Sequence, residues 1–353
     1  MLQFVYDSLP GRVVFGAGSL DRLPEEVARL CSERVLILCS PGQRRIAEEA
    51  AARLGRSAAD IYDQVVMHVP IEAAEAARAE AQRVGADGCV AIGGGSTIGL
   101  AKAIALELDL PIIAVPTTYA GSEMTPILGV TERGVKRTLR DRRVLPRTVI
   151  YDPALTVSLP ASIAGPSGMN ALAHCVEALY AKDANPITSL IAEEGIRSLG
   201  RSLPAVAARP DDLAARSDAL YGAWLAGAAL GAVAMALHHK LCHVLGGSFD
   251  LPHAEVHTVI LPHATAYNRK AAPEAMARIA RALGAADAAA GLFDLAVAIG
   301  ASTSLAELGM RAADLDRAAD LAVQNPYDNP QPVTRAGVRA LLDDAWHGRR
   351  PAP

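Results

Sequence analysis

Over the first 150 residues the apolar positions of this chain bunch into short unbroken runs, at 34–39 (RVLILC), 88–92 (GCVAI) and 111–115 (PIIAV). Between and after these runs, apolar and charged residues recur at helical spacing, as at 43–54 and 97–106. A strand that is apolar on both faces must be covered on both faces. Such runs alternating with helices therefore predict a parallel sheet between two helical layers, a doubly wound α/β domain. After Asp152-Pro153 the β-branched runs thin out, and alanine and leucine recur at helical spacing over 191–203, 213–235 and 273–283. That texture predicts an all-α second domain. Asp-Pro and Leu-Pro pairs punctuate residues 151–160, so the expected division is an α/β domain over residues 1–155 and a helical domain over residues 156–353.

A single core rarely grows past about 250–300 residues, so a chain of 353 residues is expected to form two domains sharing a cleft. Hydrophobic residues at 51% and charged residues at 20% exclude a disordered chain. Aromatic residues are only 4%, which leaves most of the packing to alanine, leucine and valine. A net charge of −4 with no lysine or arginine block gives no footing for a nucleic acid. The richest apolar stretch, 225–237, is alanine-heavy and too short to span a bilayer, so it is expected to be one buried helix with no membrane partner. Residues 1–10 lack the basic start, apolar run and cleavage site of a signal peptide, which makes a cytoplasmic location the expectation. Cys31, Cys39, Cys89, Cys175 and Cys242 are odd in number and show no CxxC spacing. They are expected to be small buried hydrophobes in a reducing compartment. The tail after Gly348 reads as loose.

Candidate chemistry begins at Gly93, Gly94, Gly95 and Ser96, which follow one apolar run and open a helix. Glycines there let the backbone approach a pyrophosphate, and the free amides at the helix start offset its charge. A tight turn without a ligand would use the same residues, and the run is not the GxGxxG fingerprint. The weight therefore falls on a second segment. Run 111–115 leads straight into Thr117, Thr118, Tyr119 and Ser122, whose hydroxyls lie where loops at strand carboxyl ends meet ligands in open α/β sheets. Two such loops point to a dinucleotide. Ser40, after the first run, brings no carboxylate to grip a ribose hydroxyl, and Arg44 and Arg45 follow it, so both NADH and NADPH are acceptable.

Asn170 and His174 lie four apart in a helical stretch, as do His239 and His243, so each pair shares a helix face. His253, His257 and His263 follow. Seven of nine histidines fall between positions 174 and 263, a concentration that surface scatter does not produce. Two uses are open: a metal site of His174, His239 and His253 with Asn170, suited to zinc or iron, or a metal-free set of proton donors and anion-binding groups. Asn170 weakens the metal reading, because a neutral amide is a poor substitute for the carboxylate that normally helps hold a dication. His68 is isolated and is read as an ordinary packing residue.

Together these segments resemble the iron-containing alcohol dehydrogenase superfamily over nearly the whole chain, and within it the maleylacetate reductase branch. The resemblance rests on GGGSTIGLAKAIA (93–105), PTTYAGSEMTP (116–126), LPRTVIYDP (145–153), GMNALAHCVEALY (168–180), LHHKLCHVLGGSFDLPHAEVHTVILPH (237–263) and NPYDNPQPVT (325–334). It implies the dehydroquinate-synthase-like, iron alcohol dehydrogenase fold, an α/β dinucleotide-binding domain followed by an all-α domain, usually in a homodimer. In the wider superfamily an aspartate and three histidines bind the metal; the matching positions here are Asn170, His174, His239 and His253. Gly99 also stands where an aspartate is usual, and the threonine loop is one residue shorter. The implied activity is NAD(P)H-dependent reduction of the carbon–carbon double bond of maleylacetate, a small dicarboxylate, to 3-oxoadipate in aromatic-compound breakdown. Under it His243 is expected to donate the proton, and His174, His239 and His253 to polarise the ketone oxygen directly or through an ion. Asn170, Tyr119, His238 and Lys240 are expected to bind the substrate. The alternatives are a metal-dependent alcohol dehydrogenase or aldehyde reductase of the same superfamily, a lyase on this fold, and a catalytically silent nucleotide-binding module.

Overall fold

The computed structural model describes residues 4, 6, 9, 11–67, 69–132, 135–325 and 327–352; His68 lies outside the described residues. These form two compact units, one within Leu9–Ser158 and one made of Leu159–Pro353 with the described residues of Met1–Ser8. The fold class is the one the sequence predicts: α/β first, all-α second.

The first unit carries strands β1 Arg12–Phe15, β2 Val35–Cys39, β3 Ala58–Tyr62, β4 Gly88–Gly93, β5 Ile112–Pro116, β6 Ile127–Glu132, β7 Val135–Arg140 and β8 Thr148–Tyr151. Its helices are α1 Leu23–Arg29, α2 Arg44–Leu54, α3 Ile71–Arg83 and α4 Gly95–Leu108. Six strands pair in the order β1-β8-β5-β4-β2-β3, all parallel. Side chains alternate across such a sheet. Val35, Ile37, Cys39, Val90, Ile92, Ile113, Val115 and Ile150 pack with α1 and α2 residues such as Leu23, Val27, Ile46 and Ala50. The intervening Leu36, Leu38, Cys89, Ala91, Ile112 and Ala114 are equally buried, toward the side where α4 crosses β4 and β5. Burial on both faces is why these strands read as unbroken apolar runs. The chain builds from β2 outward to β3, then returns to place β4 on the other side of β2, so the sheet reverses direction between β2 and β4. The loops after those two strands flank the switch point, where ligands of open α/β sheets bind. One departure from the all-parallel reading is the antiparallel hairpin β6–β7. Cys31 departs from the expected burial: it is exposed, in a left-handed turn with φ 56° just after α1, while the other four cysteines are buried and free.

The second unit contains α5 Ala161–Ala178, α6 Pro186–Ala208, α7 Leu213–Ala232, α8 Leu237–Phe249, α9 His253–Asn268, α10 Pro273–Leu283, α11 Ala288–Ala298, α12 Leu315–Ala322 and α13 Arg335–His347. Small residues let α5, α6 and α7 approach closely. A Cβ on Gly195 would lie 2.6 Å from Cys175 Sγ, and one on Gly222 2.7 Å from the Leu199 side chain. Leu237, Leu241 and Leu245 of α8 pack with Val256, Val259 and Ile260 of α9 and with Leu341 and Leu342 of α13. The stretch 225–237 is not one helix. α7 ends at Ala232, four residues intervene, and α8 leaves at 98°. Among the described residues no single helix is long and apolar enough to cross a membrane.

His263, on α9, is 4% exposed, and its Nε2 has no hydrogen-bond partner. Burial pushes its pKa down to about 4, with Asp344 acting weakly the other way. The unfolded imidazole takes up a proton near 6.5, so the unfolded state binds more protons between about 6.5 and 4, and stability is lost as pH falls through that window. The loss from this one group is on the order of 3 kcal/mol. Urea unfolding at pH 7.5 and pH 5 should show a smaller acid penalty for His263→Gln than for the wild type; equal penalties would contradict the assignment.

Candidate active site

In the α/β unit, Gly93 ends β4 with φ +156°, and a Cβ there would lie 2.3 Å from Thr97 Oγ1. A Cβ on Gly94 would meet Thr118 Oγ1 at 2.9 Å, so the glycine turn and the threonine loop touch only because side chains are missing. The Thr117 amide donates to the Gly93 carbonyl at 3.1 Å and ties the two loops together. The first intrahelical bond of α4 runs from Ile98 to Gly94, and no side chain caps the helix. The amides of Gly95, Ser96 and Thr97 precede it and have no intrahelical acceptor, an arrangement suited to an anion. Ser96, Thr118 and Ser122 are half-buried beside this turn, and Ser40 is half-buried after β2; Thr117 is buried. Tyr119 is wholly buried. Gly99 is explained locally, since a Cβ there would stand 3.0 Å from Val69 and an aspartate would displace it.

Two charged residues that sequence reasoning passed over hold the threonine loop. Lys102, fully buried on α4, donates from Nζ to the carbonyls of Ser122, Thr125 and Ile127 at 2.6, 2.7 and 2.8 Å. Burial pushes its pKa down to about 7, opposed by Glu123. Glu123, also buried, accepts from Tyr151 at 2.9 Å, and burial raises its carboxyl. Arg44, at the start of α2 after β2, donates to Asp63, the residue after β3, at 2.9 Å.

In the helical unit six imidazoles form one array. The ring of His239 lies 5.0 Å from His174, nearly parallel to it, 5.1 Å from His238, 5.0 Å from His257 and 6.4 Å from His243. His257 lies 4.8 Å from His238 and 4.5 Å from His253. His174, His238, His239 and His257 are buried, whereas His243 and His253 are exposed. Desolvation first, then the neighbouring imidazoles, push His174, His238 and His257 well below the usual range, so these rings are neutral at neutral pH. His263 is set apart from the array, toward Asp344 of α13. The expected His174, His239, His243 and His253 are thus brought together. His238 is wholly buried, with Nε2 2.9 Å from His257 Nδ1 and 3.6 Å from Cys242 Sγ. Lys240, one residue beyond His239 and so turned about 100° around the helix, lies with Nζ 5.6 Å from the centroid of the Tyr327 ring.

The residue that organises the array is Glu177, which the sequence reading missed. It accepts from the amides of Ala236 and His238 at 2.9 and 2.8 Å and from His239 Nδ1 at 2.7 Å, with no exposure to solvent. A carboxylate thus caps the start of α8 and sets the proton of His239 on Nδ1, leaving Nε2 as a bare lone pair. Among the described residues, the buried atoms without hydrogen-bond partners include His239 Nε2, His174 Nδ1, Asn170 Oδ1, His238 Nδ1 and His257 Nε2. A histidine backed by a carboxylate and offering its other nitrogen is how proteins prepare metal ligands, and an amide oxygen beside it is a weak fourth donor. The donor chemistry therefore fits a loosely held dication. Among the described residues, the trio of histidine, cysteine or carboxylate donors drawn within 4.8 Å of one another is His238, Cys242 and His257, not the expected set.

These features meet their counterpart among known proteins. The chain belongs to the iron-containing alcohol dehydrogenase family: the family's description matches residues 10–153, and that of the family's carboxyl-terminal domain matches residues 165–346. It is 59% identical to a maleylacetate reductase of Burkholderia cepacia and 57% identical to one of Sphingobium indicum, over 100% and 99% of each chain. The crystal structure of maleylacetate reductase from Agrobacterium tumefaciens superposes with a TM-score of 0.97 at 53% identity, covering 99% of this chain and 100% of that one.

Removing Glu177 would leave two amides and an imidazole N–H unpaired in the interior. Glu177→Ala should lower the unfolding free energy by about 3–5 kcal/mol, and Glu177→Gln, which keeps one acceptor oxygen, by less. Denaturant melts decide this; an alanine variant as stable as the wild type would contradict the role.

Proposed function

We propose that this chain transfers a hydride from NADH or NADPH to the carbon–carbon double bond of maleylacetate, giving 3-oxoadipate. Full-length identity of 59% to an enzyme of that name carries the reading. The dinucleotide is assigned to Ser40, Gly93, Gly94, Gly95, Ser96, Thr117, Thr118 and Ser122, because the uncapped start of α4 and the glycine turn suit a pyrophosphate. In this reading residues 1–155 bind the cofactor and residues 156–353 carry the histidine cluster. A cytoplasmic homodimer belongs to the same proposal, the first supported by the free cysteines.

Hydride adds to the alkene carbon β to the ketone, the electron pair of the double bond shifts toward the ketone oxygen, and an enolate forms. Proton delivery to the α carbon then gives the saturated product, with one NAD(P)H oxidised and one proton consumed. His243 suits the proton delivery: it is exposed, unlike the buried rings behind it, and so exchanges protons with solvent. His174, His239 and His253 are assigned to the developing negative charge, the main electrostatic demand of the reaction, directly where a ring presents an N–H and through an ion where it presents a lone pair, as His239 Nε2 does. A dication held by these three and Asn170 would supply further polarisation of the ketone oxygen.

Purified protein should consume NADH on adding maleylacetate and form one 3-oxoadipate per NADH. His243→Ala should lower kcat by roughly 10²–10⁴-fold while NADH binding is retained. NADH binding without consumption, or chelator-sensitive oxidation of simple alcohols in place of enone reduction, would overturn the proposal.

A further inference from the structure

The threonine loop runs along α4 from the start of the helix inward. Thr118 presses on Gly94, Ala120 stands 3.8 Å from where a Cβ on Gly95 would be, and the turn Ser122–Met124 packs against the helix beyond. The loop is tied to β4 at its start by the Thr117 amide and to α4 at its end by Lys102, about two turns along the helix from Gly95. Five oxygens surround Lys102 Nζ: the carbonyls of Ser122, Thr125 and Ile127 at 2.6, 2.7 and 2.8 Å, Thr125 Oγ1 at 3.1 Å and Ser122 Oγ at 3.3 Å. Three short carbonyl contacts call for three N–H groups, which an ammonium has and a neutral amine lacks. None is left over for a ligand, so whatever Lys102 does for one it does through the loop. The two hydroxyls in this shell differ. Thr125 gives its proton to the Ser122 carbonyl at 3.1 Å. Ser122 Oγ accepts from Lys102, and among the described residues it donates to none. Ser122 is half-buried, so its proton is open to an acceptor from outside the protein.

We infer that Lys102 is a positioning residue for the dinucleotide, pinning the end of the threonine loop so that the Ser122 hydroxyl keeps its proton for the pyrophosphate at the start of α4. The inference rests on the reductase reading above, which assigns a dinucleotide to this turn. A phosphate oxygen there takes bonds from the free amides of Gly95, Ser96 and Thr97 and from Ser122 Oγ, each strengthened by the anion's charge. The buried carboxyl of Glu123, beside Ser122 in the chain, offsets the charge of Lys102. Without the ammonium, three carbonyls that converge on one point would lose their donor and separate toward other partners. The hydroxyl of Ser122 would move with them.

Affinity for NADH, followed by the fluorescence of the bound nucleotide, tests it. Lys102→Met, which keeps the stem and removes the donors, should raise Kd for NADH about 10–100-fold, and in turnover the loss should fall on KM for NADH more than on kcat. Lys102→Gln, which keeps two N–H donors on a shorter stem, should lie between the methionine variant and the wild type. Ser122→Ala should raise Kd about 10-fold in the wild-type background and add little in the Lys102→Gln or Lys102→Met background, where the hydroxyl is already displaced. Fully additive losses would overturn the inference, because Lys102 would then not act through Ser122. So would a lysine variant that unfolds more easily yet binds NADH as tightly as the wild type, which is the behaviour of a purely structural residue. Ser122→Ala needs no change in the buried shell, and wild-type affinity in that variant would overturn the inference even if neither lysine variant folds. A wild type that binds no NADH at all would instead sink the parent reading.

Discussion

A carboxylate taken out of water must be met by donors, and Glu177 is met by three: the amides of Ala236 and His238 and the Nδ1–H of His239. That requirement shapes the helical unit. It holds the break between α7 and α8, where Asp183 also accepts from the Ala234 amide at 3.0 Å, and so allows α8 to leave at 98°. The turn brings His239 beside His174 of α5 and places His257 of α9 against both His238 and His239. Close packing of α5, α6 and α7 through Gly195 and Gly222 leaves the carboxylate little room to relax. One interaction thus couples backbone course, helix capping and imidazole tautomer.

The array that results is neutral at His174, His238 and His257 and exposed at His243 and His253. Neutral imidazoles offer lone pairs and N–H groups without the cost of burying charge, which suits a site where charge appears only during the reaction. The same argument explains what Asn170 changes. A carboxylate there would favour a dication strongly, whereas an amide is a weaker donor to it.

Much of this was legible in the sequence. The runs at 34–39, 88–92 and 111–115 announced strands because strands covered on both faces have no polar positions. β1 and β3 escaped notice because they form the sheet edges and are only partly buried. The helix break at 233–236 could not be read, since Val-Ala-Met-Ala contains no breaker and the chain turns there for acceptors far away in sequence. Glu177 did leave a signal: it lies three residues after His174 and seven after Asn170, on the same helix face. His257 lies four after His253 in the same way. Lys102 and Glu123 left none, because sequence alone does not separate a buried charge from the solvated ones around it.

The grip of Glu177 on α8 is tested most directly by amide hydrogen exchange. The first amides of a helix have no intrahelical acceptor and ordinarily exchange fast. The account predicts that Ala236 and His238 exchange as slowly as amides in the middle of α9. Exchange of those two at the rate of open loop amides would contradict it.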